Sequence, residues 1–193
     1  MFSRLLLPLI GVLSLALASC SSPSANGAGG AATYAAEEPI KIEDIRLASG
    51  DKIHLTVFGE DNISGDYEVD TEGFISVPLA GQVKAAGLKK VELASLVADH
   101  LTGLLRAPRV TVTIVSFRPF YILGEVEKPG EYTFRSGLNV ASAMAIAGGA
   151  TYRANRDTVL IQRGGVGDFK EYPMSPAIKV YPGDLLKVPE RFF

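Results

Sequence analysis

The sequence predicts an α+β fold made of two small modules, which follow an N-terminal leader and a linker. Short runs of alternating apolar and polar residues recur from position 50 to the end, as in strands that bury one face. Two segments of that region have apolar residues at helical spacing, one in each half. Between positions 21 and 38, small and polar residues predominate, so this part cannot form a core. These observations divide the chain into residues 1–19, 20–38, 39–117 and 118–193.

The composition excludes several classes of function. The 193 residues include 19 Lys and Arg and 21 Asp and Glu, so the formal charge is −2 and no basic surface for nucleic acid is expected. One cysteine and two histidines cannot form a closed zinc site or a disulfide framework. Because the sequence also lacks nucleophile and phosphate-loop motifs, we predict no enzyme, no cofactor and no metal site.

Residues 1–19 are typical of a secretory signal peptide. Arg4 supplies a positive charge, and the run from Leu5 to Leu17 contains no charged side chain. This run is shorter than the ~20 residues that a helix needs to cross a bilayer, and Pro8 weakens it further. A permanent transmembrane span is therefore the poorer interpretation.

The single cysteine, Cys20, follows the small residues Ala18 and Ser19. This arrangement resembles the lipobox of bacterial lipoproteins. The resemblance implies cleavage between Ser19 and Cys20 and acylation of Cys20, and two or three acyl chains hold a protein durably on a membrane. Ser21 follows the cysteine instead of Asp, which in such lipoproteins implies the outer membrane. The alternative is an ordinary signal peptide with an unrelated cysteine near its end.

Residues 20–38 are predicted to be a lipidated cysteine with a flexible tether. Tyr34 is the one bulky side chain between Ser21 and Glu38. A flexible chain of ~18 small residues extends about 24 Å on average, which would hold a folded body clear of a lipid surface.

The first module begins with strand patterns. Ile53, Leu55 and Val57 alternate with other residues in IHLTVF, which predicts a strand with one buried face. The runs YEVD and FISV flank a turn centred on Glu72, so we predict that they form a hairpin. The run GQVKAAG is a further short extended segment.

A helix and a long strand complete the first module. From Lys90 to Leu105 the apolar residues recur at helical spacing, namely Leu93, Leu96, Val97, Leu101 and Leu104. Pro108 is predicted to end this segment. The run VTVTIVSF then places alternate apolar residues on one face, namely Val110, Val112 and Ile114. We expect this strand to close the sheet beside the helix.

The second module begins near Arg118. The runs YILGEV and EYTF flank a Lys-Pro-Gly turn and predict a hairpin. Asn139 can cap the short helix VASAMAIA, and Gly148 and Gly149 can end it. The runs TVLIQR, GGVG, a polar segment around Tyr172 and YPGDLLKVPERFF follow. Because modules of fewer than ~80 residues have marginal cores, we expect the two to pack on each other or on neighbouring subunits.

The histidines and the glycine-rich run favour structural roles. His54 lies in a predicted strand and His100 in the predicted helix, so surface or packing roles are favoured over catalysis or metal binding. The run GGVG at 164–167 lacks the Lys and Ser or Thr of a phosphate loop, which favours a hairpin turn.

An acidic loop partly resembles a calcium-binding loop. Glu60, Asn62, Ser64 and Gly65 match four of its positions. Thr71 stands where a bidentate Glu is required, so a solvated turn is the favoured interpretation.

Three acidic residues are predicted to serve turns and subunit contacts instead of sugar binding, namely Asp51, Glu125 and Asp184.

The runs SGDKIHLTV and PGDLLKVP both place Gly-Asp before alternating apolar residues. Because Gly-Asp is a common turn before a strand, this similarity does not by itself indicate an internal repeat.

Taken together, these runs resemble a known family. LASGDKIHLTVFGEDNISGDYEVDTEGFISVPLAGQVKAAGL, the following helix and APRVTVTIVSFRPF resemble the polysaccharide export domain of bacterial outer-membrane export lipoproteins of the Wza type. YILGEVEKPGEYTFRSGLNVASAMAIAGGAT, TVLIQR and YPGDLLKVPERFF resemble the soluble-ligand-binding β-grasp (SLBB) domain that follows it in that family. The resemblance implies that residues 39–117 form the polysaccharide export domain and residues 118–193 form the SLBB domain.

The resemblance also implies a function. Members of this family form a periplasmic ring of lipidated subunits at the outer membrane, through which capsular polysaccharide or exopolysaccharide leaves the cell. Such a conduit needs no catalytic residue. The implied partners are the polymer, further copies of the chain in a homo-oligomeric ring and an inner-membrane polysaccharide co-polymerase or chain-length regulator.

The sequence departs from the larger members of the family, which carry further β-grasp repeats and end in an amphipathic helix. This sequence has one such repeat and ends at Phe193, four residues after Pro189, without a helical pattern. We therefore expect a lipid-anchored periplasmic ring or adaptor that hands polymer to a separate outer-membrane β-barrel or to a larger export assembly. Two alternatives are a monomeric periplasmic lipoprotein that binds a sugar or small ligand, and a structural lipoprotein that tethers envelope layers.

Overall fold

The structure is a computed structural model that describes residue 41 and residues 44–191. The predicted leader, Cys20 and the predicted linker lie outside the described residues.

The predicted α+β class is confirmed. Within the described part, the strands are β1 (Lys52–Val57), β2 (Gly65–Glu68), β3 (Phe74–Val77), β4 (Gly81–Lys84), β5 (Val110–Ser116), β6 (Phe120–Gly124), β7 (Gly130–Tyr132), β8 (Thr158–Gln162), β9 (Lys170–Pro173) and β10 (Leu185–Val188), and the α-helices are α1 (Lys90–Leu101) and α2 (Val140–Ile146).

The first module contains a three-stranded antiparallel sheet in the order β2-β1-β5, and a separate pair of strands, β3 and β4. Ile53, Leu55 and Val57 on β1 are buried, as their alternation predicts. Leu93, Val97 and Leu101 on α1 belong to the same buried cluster as these strand residues. The alternating strand and the amphipathic helix thus bury their apolar faces against each other.

The predicted hairpin between YEVD and FISV is wrong. β2 pairs with β1, whereas β3 pairs with β4. Opposed side chains favour the observed pairing of β1 with β2, because the Lys52 ammonium lies 3.5 Å from the Glu68 carboxylate across the two strands. Between β2 and β3, the Asp70 carboxylate accepts hydrogen bonds from the amides of Glu72 and Phe74, so the chain turns without continuing the ladder.

The predicted helix to Leu105 is also wrong in its last turn, because α1 ends at Leu101. Thr102 has an extended backbone, and Gly103 follows with a φ of 97°, a conformation that does not continue a right-handed helix. Leu104, which the helical spacing placed on the buried face, is 60% exposed.

The second module contains a mixed five-stranded sheet in the order β7-β6-β10-β8-β9, in which β6 and β10 run parallel. β6 and β7 form the predicted hairpin. The predicted capping of α2 is confirmed, because the Asn139 side chain accepts a hydrogen bond of 2.9 Å from the Ser142 amide. α2 packs on this sheet, and its buried residues share a core with sheet residues such as Phe120, Ile122 and Leu186.

Each module therefore has its own hydrophobic core. One buried cluster extends from Leu47 to Val112, and the other extends from Phe120 to Val188. Phe117 lies just before β6 and packs edge-on against Phe134, with the ring centres 5.5 Å apart. Since the two cores are separate, contacts near residues 117–119 join the modules.

Candidate functional site

Two turns carry the charged residues that are fully buried in the described part of the chain, Asp51 and Asp184. Each aspartate follows a glycine with positive φ, Gly50 at 86° and Gly183 at 80°. Each is followed by a strand that enters a core, β1 in the first module and β10 in the second. A buried carboxylate must be paired and hydrogen-bonded to be tolerated, so the partners of these two residues define the site.

Asp51 joins the two modules. Its Oδ2 accepts a hydrogen bond of 2.8 Å from the Ala48 amide in its own turn. Its Oδ1 accepts one of 2.7 Å from the Arg118 amide, and the Arg118 guanidinium Nη1 lies 3.1 Å from Oδ2. One carboxylate thus binds both the backbone amide and the side chain of Arg118, at the start of the second module. It fixes this residue to the turn that precedes β1.

Asp184 has the same arrangement within the second module. Its Oδ2 accepts hydrogen bonds from the Tyr181 amide at 2.8 Å and from Nη1 of Arg163 at 2.6 Å, and its Oδ1 accepts from the Gly164 amide. Burial raises the pKa of this carboxyl group, and the Arg163 charge and the two amide donors oppose that rise. The arginine also lies over the rings of Tyr172 and Tyr181, about 5 Å from each centre.

The two Gly-Asp runs are therefore structurally equivalent. In each, the aspartate accepts from the amide three residues earlier, from an arginine guanidinium and from a distant backbone amide. The similarity between SGDKIHLTV and PGDLLKVP thus reflects one hydrogen-bond pattern that fixes the start of a core strand in each module. The two sequences alone did not establish this equivalence.

The two turns converge on Arg118. A Cβ atom at Gly183 would lie 2.6 Å from the Arg118 Nε, and one at Gly50 would lie 3.7 Å from the Arg118 Cβ. A cleft of 480 Å³ opens beside this contact, and its walls include Tyr121, Gln162 and the backbone of Gly164. The glycines of the cleft offer backbone hydrogen-bonding groups, and Tyr121, which is 40% exposed, offers an aromatic surface. Among the lining residues, no nucleophile is paired with a base.

The predicted site residues fall into two groups. Ser19 and Cys20 lie outside the described residues, so their predicted cleavage and acylation stay predictions. Glu125 accepts a hydrogen bond of 2.6 Å from the Thr151 hydroxyl, and its amide donates to the Val188 carbonyl. Asp51, Glu125 and Asp184 thus all fix turns, and their predicted subunit contacts stay predictions.

The histidines and the acidic loop have structural partners. His54 Nδ1 lies 2.6 Å from an Asp66 carboxylate oxygen on the exposed face of the sheet, and His100 Nδ1 lies 3.3 Å from the Ala80 carbonyl oxygen. In the loop, the Ser64 hydroxyl accepts from the Val57 amide and donates to the Glu60 carbonyl. Within residue 41 and residues 44–191, no group of three or more His, Cys, Asp or Glu could hold a metal ion.

Sequence reasoning missed the two arginines of the site. Arg118 was assigned only as the start of the second module, and Arg163 as the end of the run TVLIQR. Arg163 precedes the glycines at 164 and 165, and the Gly164 amide shares the Asp184 carboxylate with it. No sequence signal connects the Gly-Asp turn with the distant Arg-Gly dipeptide, because 21 residues separate Arg163 from Asp184.

No helix in the described residues is long and apolar enough to span a bilayer.

Comparison with known families matches both modules. The family described as "Polysaccharide biosynthesis/export protein" matches residues 41–115, and the SLBB domain matches residues 119–173. Arg118 therefore lies between the two matched segments.

Several curated proteins are similar to this chain. The exopolysaccharide production protein ExoF of Rhizobium meliloti is 37% identical over 90 residues, which are 45% of this chain and 21% of the relative. The EPS I polysaccharide export outer membrane protein EpsA of Ralstonia nicotianae is 28% identical over 144 residues, 69% of this chain and 38% of the relative. The polysialic acid transport protein KpsD of Escherichia coli is 27% identical over 125 residues, 63% and 22% respectively. The matches thus span less than two fifths of each relative's length.

Proposed function

Because the chain belongs to the polysaccharide biosynthesis/export family, in its two-domain arrangement with SLBB, we propose that it is a component of a conduit that carries capsular polysaccharide or exopolysaccharide to the cell surface. The observation that carries the proposal is the match of both modules, in order, with relatives named for production, export or transport of polysaccharides. Family members are transport proteins, which agrees with a site that joins modules instead of holding reacting groups.

The junction supports this role physically. A conduit subunit must hold its domains at a fixed orientation, so that copies can repeat the same contacts around a closed ring. The Asp51–Arg118 pair supplies such a constraint, because it combines an ion pair with a hydrogen bond to the backbone between the two cores. We therefore include in the proposal a homo-oligomeric ring built from the domains at 39–117 and 118–193.

Exposed apolar side chains also support assembly. Phe58, Leu79 and Val91 of the first module are 80%, 63% and 67% exposed. Burial of apolar surface between copies would be favourable by roughly 25 cal/mol per Å². Mass photometry of the detergent-solubilised protein separates a ring from the alternative monomeric sugar-binding lipoprotein.

The proposed location is the periplasmic face of the outer membrane, with lipidated Cys20 as the anchor and the signal peptide removed after Ser19. The proposed partners are the polymer, an inner-membrane co-polymerase or chain-length regulator, and a separate outer-membrane component. The relative EpsA is named an outer membrane export protein, which supports this location.

Deleting the gene is expected to reduce surface polysaccharide strongly, and expression of the chain from a plasmid is expected to restore it. The assay is quantification of cell-surface and supernatant polymer, with polymer retained in the cell measured in parallel. Retention of polymer inside the deletion strain would indicate an export defect. Unchanged surface polymer after deletion would refute the proposed function.

Replacing Cys20 by serine is expected to abolish incorporation of labelled palmitate, because the serine hydroxyl does not replace the thiol as the acylation site. Ser21→Ala is the matched control and is expected to incorporate label normally. A second variant, with residues 1–20 replaced by the signal peptide of a soluble periplasmic protein, is expected to be released from membranes by carbonate washing. Continued membrane association of that variant would indicate a different anchor.

A further inference from the structure

A second cleft, of 580 Å³, lies on the second module, where the loop after α2 meets the end of β10. It shares no lining residue with the cleft at the module junction. The side chains around it are mainly polar, and one is aromatic: Tyr152, Asn155, Arg156, Asp157 and Arg191.

The backbone that forms this cleft is fixed to the sheet. The Asn155 amide donates to the Pro189 carbonyl at 2.9 Å, and the Arg191 amide donates to the Arg153 carbonyl at 2.8 Å. Between these bonds, the buried residue Ala154 forms an antiparallel β-bridge with Glu190. The Glu190 carboxylate pairs with the Arg153 guanidinium. A ligand would therefore meet a preformed surface and would not have to order a loop.

Tyr152 presents its aromatic ring to solvent from this fixed backbone, and the residue is 86% exposed. An aromatic ring has a negative π face, which attracts the weakly positive C–H groups on one face of a hexopyranose. A single exposed aromatic residue is ordinary on a protein surface. Tyr152 lies beside a polar cleft, and this position suits the binding of a sugar, because a sugar ring needs an apolar surface on one side and hydrogen-bonding groups at its edge.

The polar residues supply that edge and set its charge. Within the part of the chain that the structure describes, the side chains of Arg156 and Asp157 form no hydrogen bond or ion pair with another residue. Asn155 Oδ1 accepts from the Asp157 amide at 2.9 Å, which leaves the Asn155 side-chain NH2 as a donor. The guanidinium of Arg156 is therefore available to a ligand. A guanidinium binds a carboxylate through two parallel hydrogen bonds, so Arg156 favours an acidic sugar.

We propose that this cleft binds an acidic hexopyranose unit of a polysaccharide, with the ring stacked on Tyr152 and its carboxylate on Arg156. Asn155 and Asp157 hydrogen-bond the sugar hydroxyls. The inference rests on the proposed function for its choice of ligand class, and it assigns that ligand to a site on the SLBB module.

The test uses the full lipidated protein in detergent micelles and two probes. One probe is a hyaluronan hexasaccharide, which contains glucuronic acid, and the other is neutral chitohexaose. Thermophoresis is expected to show tighter binding of the hyaluronan probe. Tyr152→Ala is expected to weaken it about tenfold, whereas Tyr152→Phe keeps the ring and stays within about twofold. Arg156→Gln is expected to reduce the preference for the acidic probe about fivefold.

Matched controls remove the same groups elsewhere. Phe169→Ala deletes an aromatic ring that is 39% exposed, and Arg106→Gln removes an exposed arginine, both outside the cleft. Neither is expected to change the affinity for either probe. Absence of binding by the unmodified protein, or equal binding by Tyr152→Ala, would overturn the site. An unchanged preference in Arg156→Gln would overturn the carboxylate contact.

Polymer export is measured separately in the deletion strain. If the unmodified chain restores export but binds neither probe, the conduit role stands and the glycan site fails. If the hyaluronan probe binds as expected but deletion leaves export unchanged, the glycan site stands and the conduit role fails.

Discussion

Replacing Asp51 by alanine is expected to lower the free energy of unfolding by about 3–5 kcal/mol, because it leaves the Arg118 guanidinium without its carboxylate in a largely buried position. The Asp51 side chain is 0% exposed and that of Arg118 is 22% exposed. The amides of Ala48 and Arg118 also lose their acceptor. Urea unfolding of the variant in which residues 1–20 are replaced by the signal peptide of a soluble periplasmic protein, followed by far-UV circular dichroism, measures the loss.

Asp66→Ala is the matched control, because it also removes a carboxylate from a close side-chain contact. Its side chain is 75% exposed and pairs with His54 at 2.6 Å, so the expected change is at most about 1 kcal/mol. The double variant Asp51→Ala, Arg118→Met removes both charges and is expected to recover part of the loss. Equal losses in Asp51→Ala and Asp66→Ala would contradict the role assigned to the junction.

In the proposed ring, loss of this pair is also expected to affect assembly, separately from its effect on stability. The two hydrophobic cores do not merge, so the Asp51–Arg118 contact and the chain around residue 118 carry the orientation between the modules. A subunit in a closed ring must repeat one geometry at every interface. The double variant, which recovers part of the stability without restoring the ion pair, therefore tests whether orientation at the junction matters to ring formation.

Local patterns predicted most of the fold. The alternation in IHLTVF, the cap at Asn139 and the hairpin around Gly130 each depend on neighbours within a few residues, and each is present. The helix after Lys90 began as predicted but ended four residues early. Leucine at 104 satisfied the helical spacing, but the positive φ at Gly103 redirected the chain before it.

Pairing between strands was harder to predict because it depends on partners distant in sequence. The turn near Glu72 suggested that its two flanking runs pair, yet each run pairs with the strand on its other side. The site was hidden for the same reason. Asp51 and Arg118 are separated by 67 residues, and neither the Gly-Asp turn nor an isolated arginine indicates the other. The Gly-Asp runs predicted that the two aspartates serve turns, but only the fold brings their arginines to them.

Replacing Gly124 by alanine is expected to lower the free energy of unfolding by about 2–5 kcal/mol, from two separate effects. Gly124 has a φ of 86°, a conformation that costs an L residue roughly 1–2 kcal/mol. An added Cβ would also overlap the Val188 carbonyl oxygen, where β6 and β10 end side by side. That oxygen accepts the Glu125 amide, so moving it breaks a bond at the sheet's end, and overpacking of this kind costs about 1–3 kcal/mol. Urea unfolding measures the sum.

Gly149→Ala separates the two effects. Gly149 has a similar φ of 95°, but no atom lies within 4 Å of the position that its Cβ would take. The expected loss there is about 1–2 kcal/mol, from backbone conformation alone. The difference between the two variants then measures the close approach of β6 to β10, the parallel pair at the centre of the second module's sheet. Equal losses would mean that the Val188 carbonyl moves away freely, and that this end of the sheet is not fixed by the contact.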